Sequence, residues 1–272
     1  LNVYGGGKLH IGTVATPMPS TSSAVLESDC TTNVEFGLQV RNNSGAFVAQ
    51  GASKATVSTL LTADAAAAAT IITVASTAGW VVGDELGFAP TTRTPGETEK
   101  KTISTVDSAT QVTLTAGLTN AHSGTSPTQG EVINLTRNVK IRGISATLQG
   151  YLHVEDDPDS VDIDYVEFSN LGSGTGDKFG ITVDDTTSVV NIQFCSLHDF
   201  AVAGSEGLRA PTSSSGGVFS NNVLYNLAGR GMLIQSTSGT AWAWGCMARP
   251  RSEGNSSLSP TTSTSSTTMG CR

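Results

Sequence analysis

Val161-Asp162-Ile163-Asp164-Tyr165-Val166-Glu167-Phe168-Ser169-Asn170-Leu171 is matched 29 residues later by Val190-Asn191-Ile192-Gln193-Phe194-Cys195-Ser196-Leu197-His198-Asp199-Phe200. Six apolar positions coincide: Val161 with Val190, Ile163 with Ile192, Tyr165 with Phe194, Val166 with Cys195, Phe168 with Leu197 and Leu171 with Phe200. Apolar and polar residues alternate within each copy, the two-residue period of a strand with one buried face. A further step of 29 reaches Phe219, Asn221, Val223, Leu224, Asn226 and Gly229, where the pattern survives in part, and Val139 and Ile141 stand 22 residues before Val161 and Ile163. Variable loops between strands of constant pattern point to a solenoid, whose coils bury their inward side chains against the equivalent side chains of the next coil. The expected fold is all-β, a right-handed parallel β-helix, with Val161, Val190 and Phe219 in one internal column. The run from Ser220 to Asn226 suits its corners, because Asn bonds neighbouring backbone and tolerates a left-handed conformation.

Composition agrees with this reading. The 272 residues include 37 Thr, 32 Ser and 30 Gly, which favour strands and turns over helix interiors. With 38% hydrophobic residues and only 14% charged, the chain has enough apolar surface for a core. A net charge of −8 with 15 Lys+Arg offers no basic patch for a phosphate backbone, so nucleic acid is excluded as the expected partner. The longest apolar stretch, Ala65 to Ala78, is broken by threonines and too short for a membrane span. Cys30, Cys195, Cys246 and Cys271 show no CxxC spacing, so no zinc scaffold is indicated; Cys195 reads as a core residue, and pairing of Cys246 with Cys271 stays open. Starting at Leu1 without an apolar leader, the chain reads as a processed product, an excised region or an incomplete gene, with a larger parent protein or a homo-oligomer as its expected context.

Several separated motifs precede the repeats: Gly6-Gly7-Lys8-Leu9-His10-Ile11-Gly12, Trp80-Val81-Val82-Gly83-Asp84-Glu85-Leu86, Glu97 to Ile103, Leu114 to His122, Gly130-Glu131-Val132 and Leu135-Thr136-Arg137-Asn138-Val139. In order and spacing they resemble the G8 domain, a glycine-rich β module of cell-migration-inducing hyaluronidases, fibrocystin-like receptors and microbial surface proteins. The resemblance implies a G8-like domain over residues 1–143 and β-helix repeats over 144–240; the end of the repeat and the Ser/Thr-rich composition beyond it read as a tail or linker over 241–272. It further implies an extracellular, cell-surface or virion-surface location. In the hyaluronan-degrading relatives the coil after the first repeat strand carries a His-Phe-His-type signature. The corresponding stretch, Lys178 to Asp185, has no histidine, so no catalytic residue carries over. From the residues themselves, Trp80 with Gly83-Asp84 reads as a buried indole under a tight turn whose Asp84 accepts backbone N–H bonds. Arg137 is expected to pair with Glu131 or another nearby carboxylate. His10, His122, His153 and His198 lie far apart and read as solvent or loop-packing residues.

Functional residues of a β-helix are sought on its outward columns. The repeat offsets predict one column of Lys140, Asp162, Asn191 and Ser220 and another of Arg142, Asp164, Gln193 and Asn222, with Asp162 and Asp164 paired to Lys140 and Arg142. A polar strip of this kind suits glycan binding, and Asp164, Asn191, Gln193 and Asn222 are the ligand-binding candidates. Carboxylates are the second lead, since paired acids hydrolyse glycosidic bonds. Asp162, Asp164, Asp184 and Asp185 are weak catalytic candidates. Asp156, Asp157 and Asp159 are weak metal candidates for Ca²⁺, although the acidic loop is expected to be solvated, with no cofactor. The expected function is a non-enzymatic surface module for adhesion or glycan recognition, its partner a glycan or surface receptor. A polysaccharide-degrading glycosidase or lyase and a structural spacer or fibre segment stay open as alternatives.

Overall fold

The computed structural model describes residues 1–32, 36–41, 44–173, 176, 178–184, 188–210 and 217–233, and the backbone of 234 and 242–248. The first coil carries β1 (Asn2–Val3), β2 (Lys8–Ile11) and β3 (Ala24–Ser28). The second carries β4 (Leu38–Val40) and β5 (Ala46–Gln50), then leaves the helix for β6 (Ser58–Leu60), β7 (Ile71–Thr73), β8 (Glu85–Phe88), β9 (Glu99–Ser108), β10 (Gln111–Leu114) and β11 (Glu131–Asn134). It rejoins at β12 (Val139–Gly143). The third coil is β13 (Leu152–Val154), β14 (Ser160–Asp164) and β15 (Val166–Ser169), and the fourth is β16 (Gly180–Val183), β17 (Val190–Gln193) and β18 (Ser196–Phe200). A fifth is β19 (Glu206–Ala210) and the long β20 (Val218–Leu227), followed by β21 (Met232–Ile234) and β22 (Trp242–Ala248).

Three stacks of parallel strands result. One is β1-β4-β13-β16-β19-β21; the second runs β2-β5-β14-β17-β20 and the third β3-β12-β15-β18-β20, the last two sharing the bent β20. The chain is therefore an all-β parallel β-helix. Its interior is a set of in-register columns, such as Ile11, Ala49, Ile163, Ile192 and Phe219, or Ile141, Phe168, Leu197 and Leu224. The 29-residue match holds between the third and fourth coils, where Val161 pairs with Val190 and Phe168 with Leu197. Beyond them the coil shortens: Ile192 pairs with Phe219, a step of 219 − 192 = 27. Phe219 thus continues the Ile163 column and not that of Val161, because the connection from β18 to β19 is two residues shorter than that from β15 to β16, so that Ile181 already pairs with Leu208.

Sharp corners between the second and third stacks come from single residues in the left-handed region, Tyr165 (φ 55), Phe194 (φ 54) and Asn221 (φ 54). Asn170, Asp199 and Asn226 repeat the device at the far end of the third stack, as the Asn-rich run led us to expect. Gly51 lies next to Tyr165, and a Cβ there would collide with the Tyr165 carbonyl oxygen. The insertion departs directly after it, and its two ends are pinned where Asn138 Oδ1 accepts from the Ala52 N–H at 2.8 Å.

The insertion is a single antiparallel sheet, ordered β6-β11-β8-β9-β10-β7. Trp80, Leu86, Phe88, Ile103, Val112 and Val132 belong to its own core. Trp80 is buried as expected, its indole N–H donating to Thr56 O at 2.7 Å, while Asp84 Oδ2 accepts from the Val81 N–H at 3.0 Å and Lys54 at 2.6 Å. A smaller cluster of Ile133, Leu135, Val223 and Tyr225 joins the insertion to the coils. The division at 143 does not mark a change of sheet: residues 2–50 supply strands to the same three stacks as residues 139–234, and the antiparallel strands lie between 58 and 134. Parallel pairing also runs past 240, since β22 pairs with β20; residues 249–272 lie outside the described residues. Among the described residues no helix is long and apolar enough to cross a membrane.

Candidate functional site

Strand alternation sets a polar column on the outer side of the second stack, in which Gln50 and Ser220 are buried and Asp164 and Gln193 are partly exposed. Gln50, Asp164, Gln193 and Ser220 occupy successive coils in register, beside a second column of Val48, Asp162, Asn191 and Val218. Ser220 Oγ donates to Gln193 Oε1 at 2.9 Å and Gln50 Nε2 donates to the Asp162 carbonyl at 3.3 Å, so the amides are held in place along the strip. The corner residues flank it. The rings of Tyr165 and Phe194 are half-buried and stack with centroids 4.9 Å apart at 11°. Burial, followed by the neighbouring Asp162, pushes the Asp164 carboxyl up to about 6, with the Gln50 amide pulling in the other direction. One Asp164 oxygen, Oδ1, is buried without a hydrogen-bond partner among the described residues.

Three of the four ligand-binding candidates, Asp164, Asn191 and Gln193, share this face. Asn222 does not. It is buried beneath Cys195, accepting from the Cys195 N–H at 2.9 Å and donating to the Ile192 carbonyl at 2.8 Å. The left-handed Asn221 turns the chain one residue earlier and breaks the alternation that placed Asn222 outside. The expected pairing of Asp162 and Asp164 with Lys140 and Arg142 is also corrected. Lys140 lies on the third stack and pairs with Glu167 at 3.0 Å, and Arg142 pairs with Glu27 at 2.7 Å. The 22-residue offset had matched β12 to β14, one corner away, whereas β12 pairs with β15. Ser220 follows Gln193, not Asn191, because the step from β17 to β20 is 27 residues and not 29. Cys195 is a core residue, its thiol pushed up to about 12 by burial. Cys271 and the side chain of Cys246 lie outside the described residues, as does Asp185.

His122, His153 and His198 are buried among carboxylates, which the sequence spacing hid. In the insertion, Glu99 accepts from the Thr119 and Asn120 N–H groups and from His122 Nε2 at 3.0 Å; burial opposes its ionisation, yet these bonds bring it to about 2. At the junction, His198 Nδ1 lies 2.9 Å from Asp199 Oδ2 and its Nε2 3.5 Å from Glu167 Oε1. Burial alone would lower the imidazole's pKa, but the two carboxylates raise it. Burial likewise opposes ionisation of Glu167, but His198, with Lys140, brings it to about 2. Lys100 of β9 bonds Asp199 at 3.0 Å, tying insertion to coil. Arg137 is fully buried nearby and donates to the carbonyls of Phe194, Asn134 and Thr136, and the carboxylate beside it is Glu167, which accepts from its backbone N–H.

On the first stack, His153 Nε2 lies 2.8 Å from Asp184 Oδ1 and 3.7 Å from Glu155 Oε2, and Glu155 Oε1 lies 3.3 Å from Arg41. This is the group of three metal-type donors that the fold assembles among the described residues, and it contains none of Asp156, Asp157 or Asp159. Those acids line the turn after β13, where Asp156 and Asp157 take left-handed conformations and Asp156 and Asp159 are exposed. The signal for the assembled group was present in the sequence: the same step of 29 that relates the two repeat strands carries Glu155 onto Asp184.

No protein-family model matches the chain, and a search of curated proteins finds no match. Among solved structures it is similar to the tailspike gp49 of Pseudomonas phage LKA1, at 13% identity over 90% of this chain and 54% of that one, with a TM-score of 0.27. It is similar to the tailspike gp61 of Pseudomonas phage phi297, at 12% identity over 83% and 42%, with a TM-score of 0.30. A third is the Gp54 tailspike of Acinetobacter baumannii bacteriophage AP22 in complex with A. baumannii capsular saccharide, at 12% identity over 88% and 52%, with a TM-score of 0.27. The chain spans about half the length of these proteins. At such scores function has to be read from this chain's own side chains.

Proposed function

We propose that the protein is a non-enzymatic glycan-recognition module of an extracellular, cell or virion surface, binding along the outward face of the second stack. The observation that carries this reading is the stacked Tyr165–Phe194 pair beside the Gln50, Asp164, Gln193 and Ser220 column. A sugar presents apolar C–H faces and a rim of hydroxyls, so it is met by an aromatic edge and by fixed amide and carboxylate groups, which is what adjacent coils supply here. An array of bacterial and animal polysaccharides should yield at least one ligand whose binding falls about tenfold or more in Tyr165→Ala and Gln193→Ala. Binding that ignores both substitutions, or an array with no ligand, would overturn the reading.

A second reading, polysaccharide cleavage, is favoured by one observation. A carboxyl that stays protonated to about pH 6, as Asp164 does, has the character of a general acid, and Asp162 lies two positions away on the same strand face. Release of reducing ends or unsaturated sugars from a bound polysaccharide, abolished in Asp164→Asn, would select it over simple recognition. The residues that resemble a G8 domain build much of the insertion, and we take that sheet with its adjoining coils to be G8-like.

A further inference from the structure

We propose that His153, Glu155 and Asp184 form a binding site for one divalent transition-metal ion of the zinc class, on the first stack and away from the proposed glycan face. His153 and Glu155 are two residues apart and so face the same way, and Asp184 is brought in by the next coil, where its N–H donates to the Val154 carbonyl at 3.0 Å. All three donor atoms lie within 4.8 Å of one another. A tetrahedral centre with bonds of about 2.0–2.1 Å spaces its donors roughly 3.3 Å apart. The distances of 2.8 Å from His153 Nε2 to Asp184 and 3.7 Å to Glu155 bracket that spacing. Arg41 bonds Glu155 Oε1 at 3.3 Å, which fixes the carboxylate with Oε2 turned toward the imidazole.

A second observation points to a ligand. Thr182 pairs with His153 across the strands and precedes Asp184 by two residues, which puts its side chain on the same face as both, next to His153. It is fully buried, and its Oγ1 has no hydrogen-bond partner among the described residues. Three protein donors leave a fourth tetrahedral position, and a water held there is the partner this hydroxyl lacks. One imidazole and two carboxylates favour a first-row ion over Ca²⁺, which takes six to eight oxygen ligands. The sites at which the glycan and the metal are proposed share no residue, so either proposal can fail alone.

The test is calorimetric titration of chelator-treated, full-length protein with Zn²⁺, and separately with Ca²⁺. One Zn²⁺ per chain is expected, bound at least tenfold more tightly than by Asp184→Asn, His153→Gln or Glu155→Gln, with Ca²⁺ much weaker. Circular dichroism of each variant establishes that it is folded, and Glu155→Gln, at a partly exposed position, serves if the more buried substitutions fail to fold. Glu27→Gln, an exposed carboxylate elsewhere, is expected to bind like the parent. Absence of Zn²⁺ binding, or binding unchanged in all three donor variants, as an adventitious ion would give, overturns the proposal. A d–d absorption band from bound Co²⁺ that is missing in Glu155→Gln would place the ion on these donors.

Discussion

In the coils, Ile163 pairs with Ile192 and Ile192 with Phe219 across parallel strands, whereas in the insertion Val132 pairs with Phe88 and Val112 with Ile72 across antiparallel ones. The first arrangement repeats itself, so each inward side chain depends on the coils above and below. The second closes on itself, with Trp80, Phe88 and Ile103 sharing a core that the coils do not enter. Where the two meet, the joint is largely polar: Arg137 on three carbonyls, Lys100 on Asp199, and His198 between two carboxylates, beside only a small apolar cluster. Burial by stacking spreads damage along the helix, while burial in a closed sheet confines it.

The sharpest way to break this contrast is to put a charge in each core. Ile192→Asp leaves an unpaired carboxylate between coils and should cost about 5 kcal/mol or more, abolishing the cooperative melt of the whole chain. Val112→Asp, equally buried, should instead melt the insertion and leave parallel strands whose hydrogen exchange stays slow. If the two variants unfold the same set of amides, the regions are not separable. Next in size, Arg137→Met removes the buried guanidinium and strands three carbonyls, while Glu167 keeps Lys140, His198 and the backbone N–H of residue 137, and should cost about 3 kcal/mol. Its expected signature is a single melting transition split into two.

A smaller effect sharpens the comparison through pH. Glu167 sits at about 2 in the folded chain and Asp199 well below its ordinary value, so their contribution is present above the ordinary carboxylate range and is lost as pH falls below about 4.5 toward 2. The His198 pKa is raised above 6.5, so its contribution is complete below 6.5 and is lost as pH rises through the shifted value. The junction is therefore strongest between about pH 4.5 and 6.5. Denaturant midpoints at pH 3, 5.5 and 8.5 should peak at the middle value, and the peak should flatten in His198→Gln. A variant with the parent's full pH profile would remove His198 from the account.

The same contrast explains what the sequence disclosed. The third and fourth coils were legible because Val161, Ile163, Val166 and Phe168 recur at one fixed step, and a repeat needs no knowledge of its surroundings. The register of Phe219 was not, because one shorter loop changes the step, and a two-residue change leaves the alternation looking intact. The insertion has no repeat to announce it and interrupts a coil at a corner marked only by Gly51. The site divided likewise: Asp164, Asn191 and Gln193 followed from alternation, Asn222 was lost at a left-handed corner, and His153 was missed because its nearest partner, Asp184, comes from the next coil.

The smallest expected effect concerns the outward face itself. Asp164 is the opposite case to Glu167: burial and Asp162 raise its carboxyl from 3.8 to about 6, so ionising it works against the fold. A raised acid pKa means that the folded chain binds the proton more tightly, and stability falls as pH rises from about 3.8 through 6 and then levels. Asn in this place carries no charge and keeps a hydrogen-bonding amide in the Gln50 and Gln193 ladder. Asp164→Asn should therefore raise the melting temperature by a few degrees at pH 7.5, with the gain fading to nothing below pH 4. The half-exposed position screens the charge, which keeps the effect small. A variant that melts lower than the parent at pH 7.5 would show that the ionised carboxylate holds the strip together, and that the buried oxygen Oδ1 has a partner in solution.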